Sequence, residues 1–118
     1  MSGGMQASAP RLDRRMVLEE RIETANGSGG FGVAWVELGA HWVSVLPGTG
    51  RADAIGHLPR GVVPLRLILR ASAPGAVSRP RPGQRLREGV RVYPVIAVIE
   101  HDPDARYLCC HAHEEIPA

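Results

Sequence analysis

Apolar and polar residues alternate along most of this chain, and the alternation predicts strands. From Val33 to Leu46, Val33, Trp35, Val43 and Val45 share one parity while Val36, Leu38, Trp42 and Leu46 share the other, the pattern of one long strand. Gly39 in its middle marks a bulge or bend, and the odd spacing of Trp35 and Trp42 puts the two indoles on opposite faces, as core or subunit contacts. Val62 to Ala71 is a second strand, with Leu65, Leu67 and Leu69 on one side and Arg66, Ile68 and Arg70 on the other. Arg91 to Glu100 reads as an apolar strand with Val92, Val95 and Ile99 directed at the core. A tight turn at Asp102-Pro103-Asp104 joins it to a last strand, Tyr107 to His113. Arg14 to Glu23 fits two periods: Met16, Leu18 and Ile22 alternate around Glu20, but Leu18 and Ile22 also have helical i, i+4 spacing.

The segments between are rich in turn formers. Thr24 to Gly30 is a turn or flexible loop, and Pro47-Gly48-Thr49-Gly50 ends the long strand. Arg51 to His57 fits one short helical turn before Pro59-Arg60-Gly61, within a long irregular connection of the kind that commonly carries function. Ser72 to Gly83, with Pro74, Pro80 and Pro82, is expected to be extended and exposed. Residues 1–10 read as a flexible arm that orders on contact with a partner, residues 11–115 as a single β domain and residues 116–118 as a tail end. The expected fold is mainly β: a small antiparallel barrel or sandwich of five to six strands, with one short helix and long loops.

Composition agrees with that outline. With 14 Gly and 10 Pro in 118 residues, long helices are disfavoured and the size is that of one domain, which excludes a multi-domain enzyme. The longest apolar stretch, Tyr93 to Ile99, is far short of the roughly 20 residues that span a bilayer, and the N-terminus does not read as a secretion signal. Synthesis in the cytoplasm, with no membrane partner, is the expectation. All 14 basic residues are arginine, and nine of them lie in residues 51–91 against Asp53 and Glu88, whereas residues 92–118 are acidic. Such segregation suits either a polyanion near the middle of the chain or head-to-tail packing of opposite faces.

Four soft ligand groups crowd into Cys109-Cys110-His111-Ala112-His113. In a strand Cys109, His111 and His113 share one side and Cys110 takes the other, with same-side neighbours about 6.5–7 Å apart, and no second ligand pair completes a tetrahedral set. The favoured reading is a closing strand with small apolar cysteines and exposed histidines. Adjacent cysteines form no structural disulfide framework, and free cysteines are most often buried hydrophobes rather than nucleophiles. The glycines of Gly27 to Gly32 lack a following Gly-Lys-Ser/Thr, so they are not a phosphate cradle. No catalytic, cofactor-binding or metal-ligating residue is therefore assigned, and no cofactor is expected.

The order of these features resembles the phage head-tail joining family, the small stopper or head-closure proteins of long-tailed phages and of gene transfer agents. Arg11 to Leu18 looks like the family's leading basic strand, followed by a glycine-containing loop and Trp35 with an aliphatic run to Trp42, then Val45-Leu46-Pro47-Gly48-Thr49-Gly50. Arg51 to Ala54 occupies the place of its short helix and Val63 to Arg70 that of its central strand. Gly83 to Val90 and Val92 to Glu100 resemble the closing hairpin, and Asp102 to Cys110 the final turn and strand, so the likeness runs over about residues 11–115. Pro74 to Pro82 is longer than the matching family connection.

The resemblance implies that Arg14 to Glu23 is a strand, and that the protein is structural rather than an enzyme. It implies a homo-oligomeric ring, a hexamer or dodecamer, at the head-tail junction. The neighbours would be a portal-adaptor protein on the head side and a tail terminator or tail tube protein on the tail side, with non-specific contact to packaged double-stranded DNA. On that footing Pro47, Gly48, Thr49, Gly50 and His57 belong to a loop lining or plugging the channel, with Arg51 and Arg60 near DNA phosphate. Gly27, Ser28, Gly29, Gly30 and Phe31 are candidates for docking a neighbouring ring. The alternatives are a small β-barrel that binds free nucleic acid and, more remotely, a metal-dependent enzyme at the C-terminal Cys/His cluster.

Overall fold

A computed structural model describes residues 9–48 and 62–115. They form six strands: β1 (Arg14–Ala25), β2 (Phe31–Pro47), β3 (Pro64–Arg70), β4 (Arg85–Glu88), β5 (Arg91–Glu100) and β6 (Tyr107–His113). All neighbours are antiparallel, and the sheet closes on itself in the order β1-β2-β3-β6-β5-β4. Arg14 to Glu23 is a strand, and no helix occurs among the described residues. The expected short helix at Arg51 to His57, most of the N-terminal arm and the last three residues lie outside them.

Alternation places the core. Leu65, Leu67 and Leu69 of β3 pack inside with Met16 and Leu18 of β1, Val43 and Val45 of β2, Leu86 of β4, Tyr93 and Val95 of β5, and Leu108, Cys110 and Ala112 of β6. Two β-bulges break the parity that simple counting assumes. In β2 the register slips between the pairs Leu18↔Gly39 and Glu19↔Glu37, leaving Leu38 as an extra residue, and Gly39 takes φ +140°, a conformation that side chains rarely adopt. The slip puts Trp35 and Trp42 on the same outer face, paired with Arg21 and Arg15, rather than on opposite faces. In β5 a shift between Val95 and Ala97 leaves Ile99 exposed, and Val92, beside Arg87 of β4, lies outside the core cluster. Of the three residues expected in the core of this strand, Val95 alone is buried.

The Pro-rich connection is largely exposed, as expected, but it is not extended. Amides of Ala76, Arg79 and Gln84 donate to carbonyls three residues back, so the segment folds into successive turns. Pro80 is fully buried, Ala71 packs on the core, and the Ser78 carbonyl lies 2.7 Å from His41 Nε2 of β2. The β5–β6 turn is tied by Asp102, whose Oδ1 accepts from the amides of Arg106 and Tyr107.

Core and periphery are expected to differ sharply in urea denaturation. Leu67→Ala, inside the barrel, should cost about 2–5 kcal/mol, whereas Ile22→Ala, beyond the barrel on β1, should change stability by less than about 0.5 kcal/mol.

Candidate docking arm and channel loop

Closure of the barrel uses only part of its longest hairpin. Strand β4 pairs with β1 at Val17, Leu18 and Glu19 alone, and β3 pairs with β2 only from Val43 to Pro47. Past Glu19 the two strands continue as a two-stranded ribbon, from Glu20↔Val36 to Ala25↔Phe31. At about 3.3 Å per residue this arm runs about 20 Å beyond the barrel wall. One of its faces carries Arg21, Glu23, Phe31, Val33 and Trp35, and the other Glu20, Ile22, Thr24, Ala34 and Val36. Phe31 is 73% exposed and Val33 50%, and Ile22 and Val36 are exposed on the opposite face.

The tip contains the docking candidates Gly27, Ser28, Gly29, Gly30 and Phe31, and the structure brings them together. Asn26 organises the turn: its Oδ1 accepts from the amides of Ser28 and Gly30, and its own amide donates to the Gly30 carbonyl at 3.1 Å. The docking candidates drawn from the sequence begin at Gly27 and leave out Asn26, although an asparagine directly before such a turn is the signal for a side chain that accepts from the amide two residues on.

At the root of the arm Glu19 is buried and accepts from Arg85 Nε at 2.7 Å and from Arg87 Nε at 2.9 Å. Burial pushes its carboxyl pKa up, but hydrogen bonds from Arg87 and Arg85 outweigh that and hold it below the usual carboxylate value. The Arg85 guanidinium also lies over the Trp35 ring at 3.9 Å, and Arg87 reaches Glu37 at 3.1 Å. A second cluster sits where β1 begins: Arg14 donates to both Glu88 oxygens and to the Tyr93 hydroxyl, and its hydrogen bonds hold the Glu88 carboxyl low. Arg91 forks onto Glu114, and Arg81 pairs with Glu20.

Among the described residues, most arginines of the arginine-rich segment thus have partners within the chain. Arg79 and Arg66 donate to the carbonyls of Ser72 and Pro47. Among the described residues Arg15 and Arg70 have no carboxylate partner, and they bracket a different feature. Trp42, 55% exposed, pairs with Arg15 and lines a shallow depression with Leu12, Ala40, His41 and Arg70.

Of the channel-loop candidates, Pro47 and Gly48 are described, while Thr49, Gly50, Arg51, His57 and Arg60 lie outside the described residues. The ends of the loop are clamped. Pro47 pairs with Leu65, the Gly48 amide donates to the Pro64 carbonyl at 2.9 Å, and Arg66 Nε donates to the Pro47 carbonyl at 3.0 Å. A Cβ at Gly48 would stand 2.8 Å from the Pro64 backbone, so this close approach requires glycine. The loop therefore leaves from the opposite end of β2 to the arm, and the strand between them spans about 55 Å.

The C-terminal cluster divides as strand geometry requires, with Cys110 in the core and Cys109 outside it, its Sγ 3.9 Å from His111 Nε2. His111 is buried, contrary to the expected exposure, and burial together with Arg66 pushes its pKa down. Burial raises both thiols, Cys110 to about 12, so neither is a thiolate near neutral pH.

Comparison with known proteins assigns the chain. Residues 7–115 match the family model described as phage head completion protein. A chain of the virion of a native gene transfer agent particle is 39% identical, superposes with a TM-score of 0.72, and is matched over 93% of this chain and 100% of its own length. A Shigella flexneri 2a protein determined in solution shares the fold at 18% identity, with a TM-score of 0.67 over 95% of this chain and all of that one. No curated protein matches the chain.

The ion pairs of Glu19 and Glu88 set an acid dependence. Glu19 and Glu88 titrate below their usual 4.5, so the stability that they contribute is complete above that value and is lost as pH falls through their lowered pKa values. The melting temperature is expected to drop on acidification. Glu19→Gln should cost about 1–3 kcal/mol at neutral pH, less than for a fully enclosed pair because both arginines reach solvent, and should shrink the acid-induced drop.

Proposed function

Because the chain belongs to the family of phage head completion proteins, we propose that it is a structural component of a virion or gene transfer agent particle, assembled as a ring at the head-tail junction. On this proposal the ring joins the portal-adaptor complex to the tail terminator or tail tube and helps to retain and conduct the packaged DNA. The observation that carries the reading is the reach of β2 beyond a rigid barrel, with an exposed arm at one end and a clamped loop at the other. A small subunit so built can touch neighbours through one end while its other end approaches an axial channel. In a ring, one heterologous contact repeats around the axis until it closes.

Arg51 and Arg60 are proposed to face the channel from the Pro47 to Gly61 loop, attracting phosphate without reading bases. The clamp at Gly48 and Pro64 would then fix where the loop enters, and the barrel core would supply the rigid support. The likeness to a gene transfer agent virion chain supports placement in the particle.

One observation favours a second reading. Trp42 stands exposed beside Arg15 and Arg70, an aromatic and cationic combination that suits single-stranded nucleic acid.

Fractionation of particles from producing cells separates the two. The ring reading expects the chain in intact particles, in a few copies each, and expects Arg51→Ala with Arg60→Ala to give particles that lose DNA. It also expects weak binding of naked DNA by the isolated chain. Absence from every particle fraction, with tight and steeply salt-dependent DNA binding that Trp42→Ala abolishes, would replace it with the second reading.

A further inference from the structure

The arm leaves backbone hydrogen-bonding groups unused on both sides. Among the described residues no strand lies beside the outer edge of β1 from Glu20 to Ala25, or beside the outer edge of β2 from Phe31 to Glu37. Isolated two-stranded ribbons are marginal in water, and exposed edges are normally blunted with lysine, proline or a bulge. Here the β2 edge from Phe31 to Val36 carries neither charge nor proline, its bulge coming only at Leu38, and exposed apolar side chains lie on both faces of the ribbon.

We propose that the occupant of these edges is a second copy of this chain: the β1 edge of one arm pairs antiparallel with the β2 edge of the next. This inference rests on the ring reading and names the contact that would close the ring. Three features favour it. The two free edges belong to opposite strands of an antiparallel pair, so one β1-to-β2 contact repeated around the axis satisfies both, whereas a foreign strand would leave one edge bare. Rigid pairing of β1 with β2 also prevents an arm from covering its own edges.

The third feature is complementarity of the side chains. Shifting the register by two residues from that within the ribbon keeps every side chain on its own face. It sets Arg21 of one arm opposite Glu37 of the next, in place of Trp35, its partner within the chain. On the other face the same shift sets Ile22 opposite Val36, joining two exposed apolar residues. It brings Ala25 opposite Val33. Charge and hydrophobicity thus select one register together.

Crosslinking tests the contact directly. Ala25→Cys and Val33→Cys chains, whose native Cys109 and Cys110 are buried, are co-expressed in cells producing particles, and purified particles are treated with a short bismaleimide. A covalent dimer containing one chain of each kind, at least tenfold more abundant than dimers from either variant alone, is expected. Arg21→Glu should prevent incorporation into particles with the melting temperature of the barrel unchanged, and adding Glu37→Arg should restore incorporation, at a small drop in melting temperature from loss of the exposed Arg87–Glu37 pair. Particles that contain the chain but give no mixed dimer would overturn arm pairing and leave the ring reading standing. Absence of the unsubstituted chain from particles would overturn both.

Discussion

Closure of the sheet through three residue pairs between β1 and β4 is the constraint on which the rest depends. Val17, Leu18 and Glu19 meet Arg87, Leu86 and Arg85. Leu18 and Leu86 complete the core from two sides of the seam. Glu19 holds Arg85 and Arg87 across it with charge-assisted hydrogen bonds in a buried setting. Because the seam ends at Glu19, everything further along β1 and its partner β2 has no barrel to join. The arm is the remainder of a hairpin longer than the barrel that it helps to build.

This explains how so small a chain combines rigidity with reach. The core fixes the central part of β2, the bulge at Leu38 and Gly39 redirects the strand as it leaves the wall, and the clamp at Gly48 and Pro64 fixes its other end. Of the nine arginines that look like a polyanion-binding stretch in the sequence, Arg81, Arg85, Arg87 and Arg91 serve the frame through Glu19, Glu20 and Glu114. The features proposed to meet partners are a ribbon with apolar faces at one end, the Trp42 depression on the wall, and the loop between β2 and β3.

Much of this was legible in the sequence. Alternation located Leu65, Leu67 and Leu69 correctly because β3 is regular from end to end. It failed where a bulge adds a residue: Gly39 announced an irregularity, but its effect on parity depends on which partner pairs remain, so Trp35 was assigned to the wrong face relative to Trp42. The same failure moved Ile99 out of the core. Helical spacing in β1 was ambiguous because Glu20 interrupts alternation where the strand leaves the barrel and both faces meet solvent. Burial of His111 and Pro80 depends on tertiary packing that local composition does not encode. The docking candidates at the tip lie together, as chain order alone ensures, whereas the length of unpaired strand beneath them follows only from where β4 stops.

Amide hydrogen exchange on Glu20–Ala25 and Phe31–Glu37 tests most directly whether the arm is an assembly element. In the isolated chain these amides are expected to exchange far faster than those of Leu67 or Leu108 in the core, and in purified particles to slow by at least tenfold as both edges become paired. Equal exchange in the two states, with the chain present in the particles, would contradict the account.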